Sequence, residues 1–186
     1  ATKKDIFKVE LEIPEGTVMR YPLSNFASFD LVGESIVVVY DVIQKSSKVS
    51  FLRIVNAGTG KIAENIPVFT DKVKSVFNMH DIVYKVVYSP DYSKAAILKD
   101  NLSPENDVNA EIMIYDLKNS KFVSNINLGQ KYNGTKRVFD FKKIQMDNNA
   151  NIQLAFSLMN EKTKMTTKTY VASLPANSSE LKDVKE

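Results

Sequence analysis

His80, in the stretch FNMHDIVY, is the only histidine in the chain. A metal site built from several imidazoles is therefore excluded. Asp81 beside it is placed to orient it as a base, but the stretch reads better as a loop leading into a strand. Asn and Asp cluster in PENDVNAE (Pro104–Glu111), MDNNAN (Met146–Asn151) and SPDYS (Ser89–Ser93). Compact oxygen-rich loops suit calcium. The EF-hand spacing is absent, however, and these residues are also the ordinary material of turns, because their side chains bond nearby backbone. AGTGK (Ala57–Lys61) resembles part of a phosphate loop, but Lys61 is followed by a strand pattern and not by Ser/Thr opening a helix. It reads as a hairpin turn.

Four aromatic residues, Tyr21, Phe26, Tyr92 and Tyr132, fall in predicted loops. There they form a candidate platform for a sugar or a peptide. The carboxylates are scattered, with no pair placed as a glycosidase needs. No catalytic, cofactor-binding or metal-binding residue is predicted, and no ion is expected to be needed for folding.

The elements that must position these residues are strands. IFKVELEIP alternates, with Phe7, Val9, Leu11 and Ile13 on one face and Lys8, Glu10 and Glu12 on the other. SIVVVYDVI (Ser35–Ile43) is a continuous β-branched run, as in a strand covered on both sides. Further runs follow at short intervals: VSFLRIVN, IAENIPVF, DIVYKVVYS, AAILKD, AEIMIYDL, FVSNINL, KRVFDFKKIQM, IQLAFSLM and MTTKTYVASL. Val37, Val39, Ile112, Ile114, Leu154 and Phe156 are predicted core. In YSPDYSK, Pro90 presets the backbone of a turn, Ser89 or Asp91 bonds it, and Lys94 resumes the strand.

The runs recur. FLRIVNAGTGKIAENIPVF and EIMIYDLKNSKFVSNINL superpose without a gap when Leu52 is set on Ile112, an offset of sixty residues. TKTYVASLPANSSELKDV begins a third copy near Thr167, with Tyr170 matching Tyr115. The expected fold is all-β: one domain over residues 1–174, made of about three consecutive four-stranded antiparallel meanders. They are partial β-propeller-like units, with a β-sandwich as the alternative. Residues 175–186 read as a polar tail or linker, with a short helix capped at Ser178 or Ser179 as a further option.

Composition narrows the function classes. The net charge is +3, from 25 basic and 22 acidic residues of interspersed sign. That gives no concentrated basic footprint for nucleic acid. With no cysteine, disulfides, thiolate metal sites and cysteine nucleophiles are excluded. No run approaches the roughly 18 apolar residues of a membrane helix. The start at Ala1 reads as a mature or trimmed chain whose address label has gone.

VYKVVYSPDYSKAAILKD, AEIMIYDLKNSKFVSNINL and FDFKKIQMDNNANIQLAFSL together resemble uncharacterised β-propeller-like repeat proteins exported by Gram-negative bacteria. The likeness covers roughly Ser24–Leu174. More distantly the chain resembles WD-type repeats, although it has no Trp and Tyr92 stands where Gly would follow the Asp. The resemblance implies architecture and an exported, periplasmic or outer-surface location. It implies no catalytic residues.

The expected function is a non-catalytic binding or scaffold module of the cell envelope or exterior, contacting protein or glycan through blade loops. The alternatives are a non-catalytic part of a larger propeller hydrolase and a β-sandwich carbohydrate-binding module. Three units fall short of a ring, which needs at least about four. A second copy, the missing part of its own chain, or collapse into a self-contained sandwich would each resolve that shortfall.

Overall fold

Alternating and β-branched runs become strands throughout the described chain. The structure is a computed structural model, and it describes residues 17–18, 26–44, 47–72, 82–101, 110–128, 131–160, 162–163 and 165–186. The first strands are β1 (Thr17–Val18), β2 (Phe26–Val32), β3 (Ser35–Gln44), β4 (Ser47–Asn56) and β5 (Ile62–Lys72). A second group is β6 (Ile82–Tyr88), β7 (Lys94–Asn101), β8 (Ala110–Asp116) and β9 (Lys121–Leu128). The last group is β10 (Lys131–Tyr132), β11 (Thr135–Met146), β12 (Ile152–Met159), β13 (Thr166–Leu174) and β14 (Lys182–Lys185). All pairings are antiparallel, and each group forms its own sheet in which neighbours follow chain order, except that β1 pairs with β3. The expected all-β architecture of consecutive antiparallel meanders is therefore present. Among the described residues no helix is long and apolar enough to cross a membrane.

The chain divides into two compact units, Ala1–Met79 and His80–Glu186. In the first, β3 is the centre of the sheet: β4 flanks one side, and β1 and β2 share the other. Val37 and Val39 are buried on one face of β3 and Val38, Tyr40 and Val42 on the other, as a doubly covered strand requires. Arg53 is fully buried beside them. The register sets Val38 against Arg53 and Arg53 against Asn65. The Arg53 Nε–H donates to Asn65 Oδ1 at 3.2 Å, and the Tyr40 hydroxyl donates to the same oxygen at 2.9 Å. The guanidinium lies 5.4 Å from the Tyr40 ring centroid. Together the amide oxygen and the ring face compensate part of the cost of burying the cation.

In the second unit the sheets β6–β9 and β10–β14 share one apolar layer. Val87, Ala96, Leu98, Ile112, Ile114, Ile126 and Leu128 come from the first of these sheets. Ile144, Met146, Ile152, Leu154, Phe156, Ala172 and Leu174 come from the second. Phe156 anchors a row of rings across β11, β12 and β13: it lies 6.2 Å from Phe139 and stacks on Tyr170 at 5.5 Å.

The six predicted core residues from Val37 to Phe156 are all buried. The alternating run Phe7–Ile13 lies outside the described residues.

Two expectations need correction. The segment after Leu174 is not only a polar tail, and 182–185 are not helical: β14 pairs with β13, and Leu181 and Val184 pack on the core. Asp183 between them is left-handed, with φ +52°, and the ladder shifts register there. That irregularity lets apolar residues three apart reach one side, so no period of two was visible. The second correction concerns aromatic residues expected in loops. Phe26 opens β2 opposite Tyr40, and Tyr132 pairs with Thr135 in a tight hairpin. Asn133 and Gly134 form the loop of that hairpin, with φ of +49° and +79°. Both central positions are left-handed, as the Asn-Gly two-residue turn requires.

Replacing Ile114 with Ala should destabilise the protein by about 2–5 kcal/mol, the range for truncating a fully buried branched side chain. Denaturant titration measures it, and a cost near zero would mean that Ile114 is not in the packed layer.

Candidate binding cleft at the turns of the second unit

Ser89, Pro90, Asp91 and Tyr92 turn the chain from β6 into β7. The Tyr92 N–H donates to the Ser89 carbonyl at 2.8 Å, and the Ser89 N–H closes the loop on the Lys94 carbonyl at 3.0 Å. Asp91 Oδ1 gathers the Ser89 hydroxyl (2.7 Å), the Ser93 N–H (3.1 Å) and the Ser93 hydroxyl (2.9 Å). Tyr92 then sits at φ +56°, a left-handed conformation that is costly for a bulky residue. The residue is 58% exposed, and its ring lies 6.4 Å from the Tyr88 ring. A glycine would be the unstrained choice at this position.

The turn from β11 into β12 is built the same way one sheet further on. Asp147 Oδ1 accepts the N–H groups of Asn149 and Asn151, each at 2.8 Å, and Oδ2 accepts the Asn151 carboxamide at 2.9 Å. Ala150 takes the left-handed position at φ +65°. The turns that follow β4 and β8, sixty residues apart, also share one geometry. Asn56 Oδ1 accepts from the N–H groups of Gly58 and Thr59, and Asp116 Oδ1 from those of Lys118 and Asn119. Gly60 and Ser120 end them left-handed. The carboxylates of Asp91, Asp116 and Asp147 thus cap their own turns. Among the described residues no three His, Cys, Asp or Glu side chains meet to hold a metal ion.

Asn148 joins the two sheets. Its Oδ1 accepts the Asp91 N–H at 3.1 Å, and its carbonyl accepts Lys94 Nζ at 2.7 Å. Within the last sheet, the Ala176 N–H donates to Asn151 Oδ1 at 3.3 Å. Two asparagines of one turn therefore hold the backbone beside Pro90 and beside Pro175. Between these prolines opens a cleft of about 440 Å³. Its lining includes Gln145, Asp147, Asn151, Gln153 and Ser173, together with the apolar Met146 and Ile152. Gln145 pairs with Gln153, and Gln153 with Ser173, so these three form one rung across β11, β12 and β13.

Of the expected platform, Tyr92 is exposed on its turn, Phe26 belongs to the first unit and Tyr132 to a hairpin of the second. Tyr21 and His80 lie outside the described residues, as does most of Pro104–Glu111. Tyr92 is not among the residues that line the cleft. The glutamines and Asn148 carry no motif. DNNAN marked a turn, but nothing local marks its partner 57 residues earlier.

No protein-family model matches the chain, and no curated protein matches it.

Hydrogen bonds from Ser89 and Ser93, with Lys94 nearby, hold the Asp91 carboxyl down from 3.8 to about 2. Bonds from Asn119 and from Asn151 lower Asp116 and Asp147 respectively, with Lys94 a lesser contributor to each. A carboxylate depressed in the folded state contributes stability that is complete above its unfolded value and is lost as pH falls through the folded one. The melting temperature should therefore fall as pH drops from about 5 toward 2, and Asp91→Asn should flatten that fall; an unchanged slope in the variant would remove Asp91 from the cause. At neutral pH, Tyr92→Gly should stabilise the protein by up to about 1 kcal/mol, because the left-handed cost of a side chain is relieved and glycine's backbone entropy offsets part of the gain. Denaturant midpoints measure it, and a loss of more than about 1 kcal/mol would mean that the ring contact with Tyr88 outweighs the strain.

Proposed function

We propose that this chain is a non-catalytic binding or scaffold module that takes protein or glycan ligands through the turns at one end of its meanders. The observation that carries the reading is the cleft between the β6–β7 turn and the β13–β14 connection. Its rim is tied by Asn148 and Asn151, and its floor is a rung of polar side chains. Acidic groups nearby are committed to their own turns, which leaves recognition, and not proton transfer, as the chemistry on offer.

The meanders are read as propeller-like blades, and the likeness of the strand and turn motifs to exported bacterial repeat proteins supports a place in the cell envelope or outside it. Two sheets over one apolar layer also favour a second reading, a β-sandwich carbohydrate-binding module. Under either reading the face of the last sheet that bears Gln153, Ser157, Thr169 and Ser173 is polar, with Val171 as its exposed large apolar side chain. That composition favours solvent or a polar ligand over a second copy of the chain.

Probing glycan and peptide arrays with the tagged protein tests the reading. Retention on one class is expected, and Asn148→Ala should reduce it while the fold persists by circular dichroism. Absence of retention on both arrays would overturn it.

A further inference from the structure

The cleft's floor identifies a ligand class, an inference that rests on the binding-module reading above. Gln145, Gln153 and Ser173 sit side by side on adjacent strands, within about 4.5–5.5 Å between successive Cβ atoms. Each carboxamide offers two N–H donors and a carbonyl acceptor, and the serine offers a hydroxyl that does both. None of the three side chains is hydrogen-bonded to another described residue. Such a row matches a ligand that presents alternating donors and acceptors.

The charges nearby are already engaged. Asp147, the carboxylate of the lining, accepts three bonds within its own turn, and Lys94 Nζ is held by the Asn148 carbonyl. The lining therefore disfavours an anionic partner and offers no free cation to hold one. The floor's backbone lies in the β11–β12–β13 ladders. Gln153 and Ser173 lie on strands paired on both sides, so an extended peptide could join this sheet only along the outer edge of β11, whose pairing with β10 ends at Lys136. Pro90 and Pro175 supply rigid C–H walls, which suit the apolar face of a pyranose ring. Their positions are set in advance by the bonds to Asn148 and Asn151, so little ordering is left for the ligand to impose. The volume of about 440 Å³ lies within the range of small-ligand sites.

We propose that this cleft binds a neutral oligosaccharide, with hydroxyls bridged by Gln145, Gln153 and Ser173 and a ring face against Pro90 or Pro175. The test is titration calorimetry of the whole chain with cello-, xylo-, manno-, malto- and chito-oligosaccharides, and with an oligogalacturonate as the charged control. At least one neutral series should bind, and the oligogalacturonate should not. Gln153→Ala should weaken binding by about three- to tenfold, the effect of one lost hydrogen-bonding group. Gln145→Ala with Gln153→Ala should weaken it further, and the exposed positions of both side chains should leave the melting temperature unchanged. No binding by any neutral series, or binding indifferent to the double variant, would overturn the proposal. If peptides are retained on an array while every oligosaccharide fails, the glycan assignment falls and the binding-module reading stands. If neither kind of ligand binds, both fall.

Discussion

One shared apolar layer between the sheets β6–β9 and β10–β14 is the constraint on which the second unit depends. Facing sheets pack about 10 Å apart, and a layer that thin must be filled by interdigitation. Ala96, Ala150 and Ala172 sit in it among Ile112, Leu154 and Phe156. Small beside large is how two inner faces reach native packing density without voids. Because this layer fixes how one sheet lies on the other, it also decides which turns become neighbours.

Polar chemistry at the sheet ends is subordinate to that packing. Asn148 meets Asp91 and Lys94 because the core brings the β11–β12 turn against the β6–β7 turn. Each turn is first completed by its own carboxylate, and the asparagines then join turn to turn. The cleft is thus framed by groups already held by hydrogen bonds, while the rung of Gln145, Gln153 and Ser173 is left to solvent. Tyr92 is the exception to economy in this region, a bulky residue held left-handed where glycine would be relaxed. Such strain persists only where the surroundings over-determine it, and here the Asp91 hydrogen bonds to Ser89 and Ser93 and the loop closure onto Lys94 do so.

In the first unit a buried cation plays the organising part. Arg53 shares the amide oxygen of Asn65 with Tyr40 and faces the Tyr40 ring, in a sheet whose central strand is covered on both sides. Breaking such an arrangement by removing one member leaves a buried polar group uncompensated. The three residues are set together by the register Val38–Arg53–Asn65, which is a property of strand pairing and of no single strand.

Strand identity and the buried positions were legible in the sequence because short apolar runs rich in β-branched and aromatic residues, bounded by turn residues, are a local signal. Val37, Ile114 and Phe156 sit in such continuous runs, and a neighbour of each is buried with it. The sixty-residue offset was legible too, since Asn56 and Asp116 cap their turns using only the next three residues. What tertiary structure alone decided is everything that spans two sheets or breaks the period. β14 escaped because the left-handed Asp183 brings Leu181 and Val184 to one side at a spacing no strand pattern contains. The placement of Phe26 and Tyr132 on strands turned on pairing partners. The cleft escaped entirely: its walls lie 85 residues apart in Pro90 and Pro175, and only the packing of two sheets brings them to face each other.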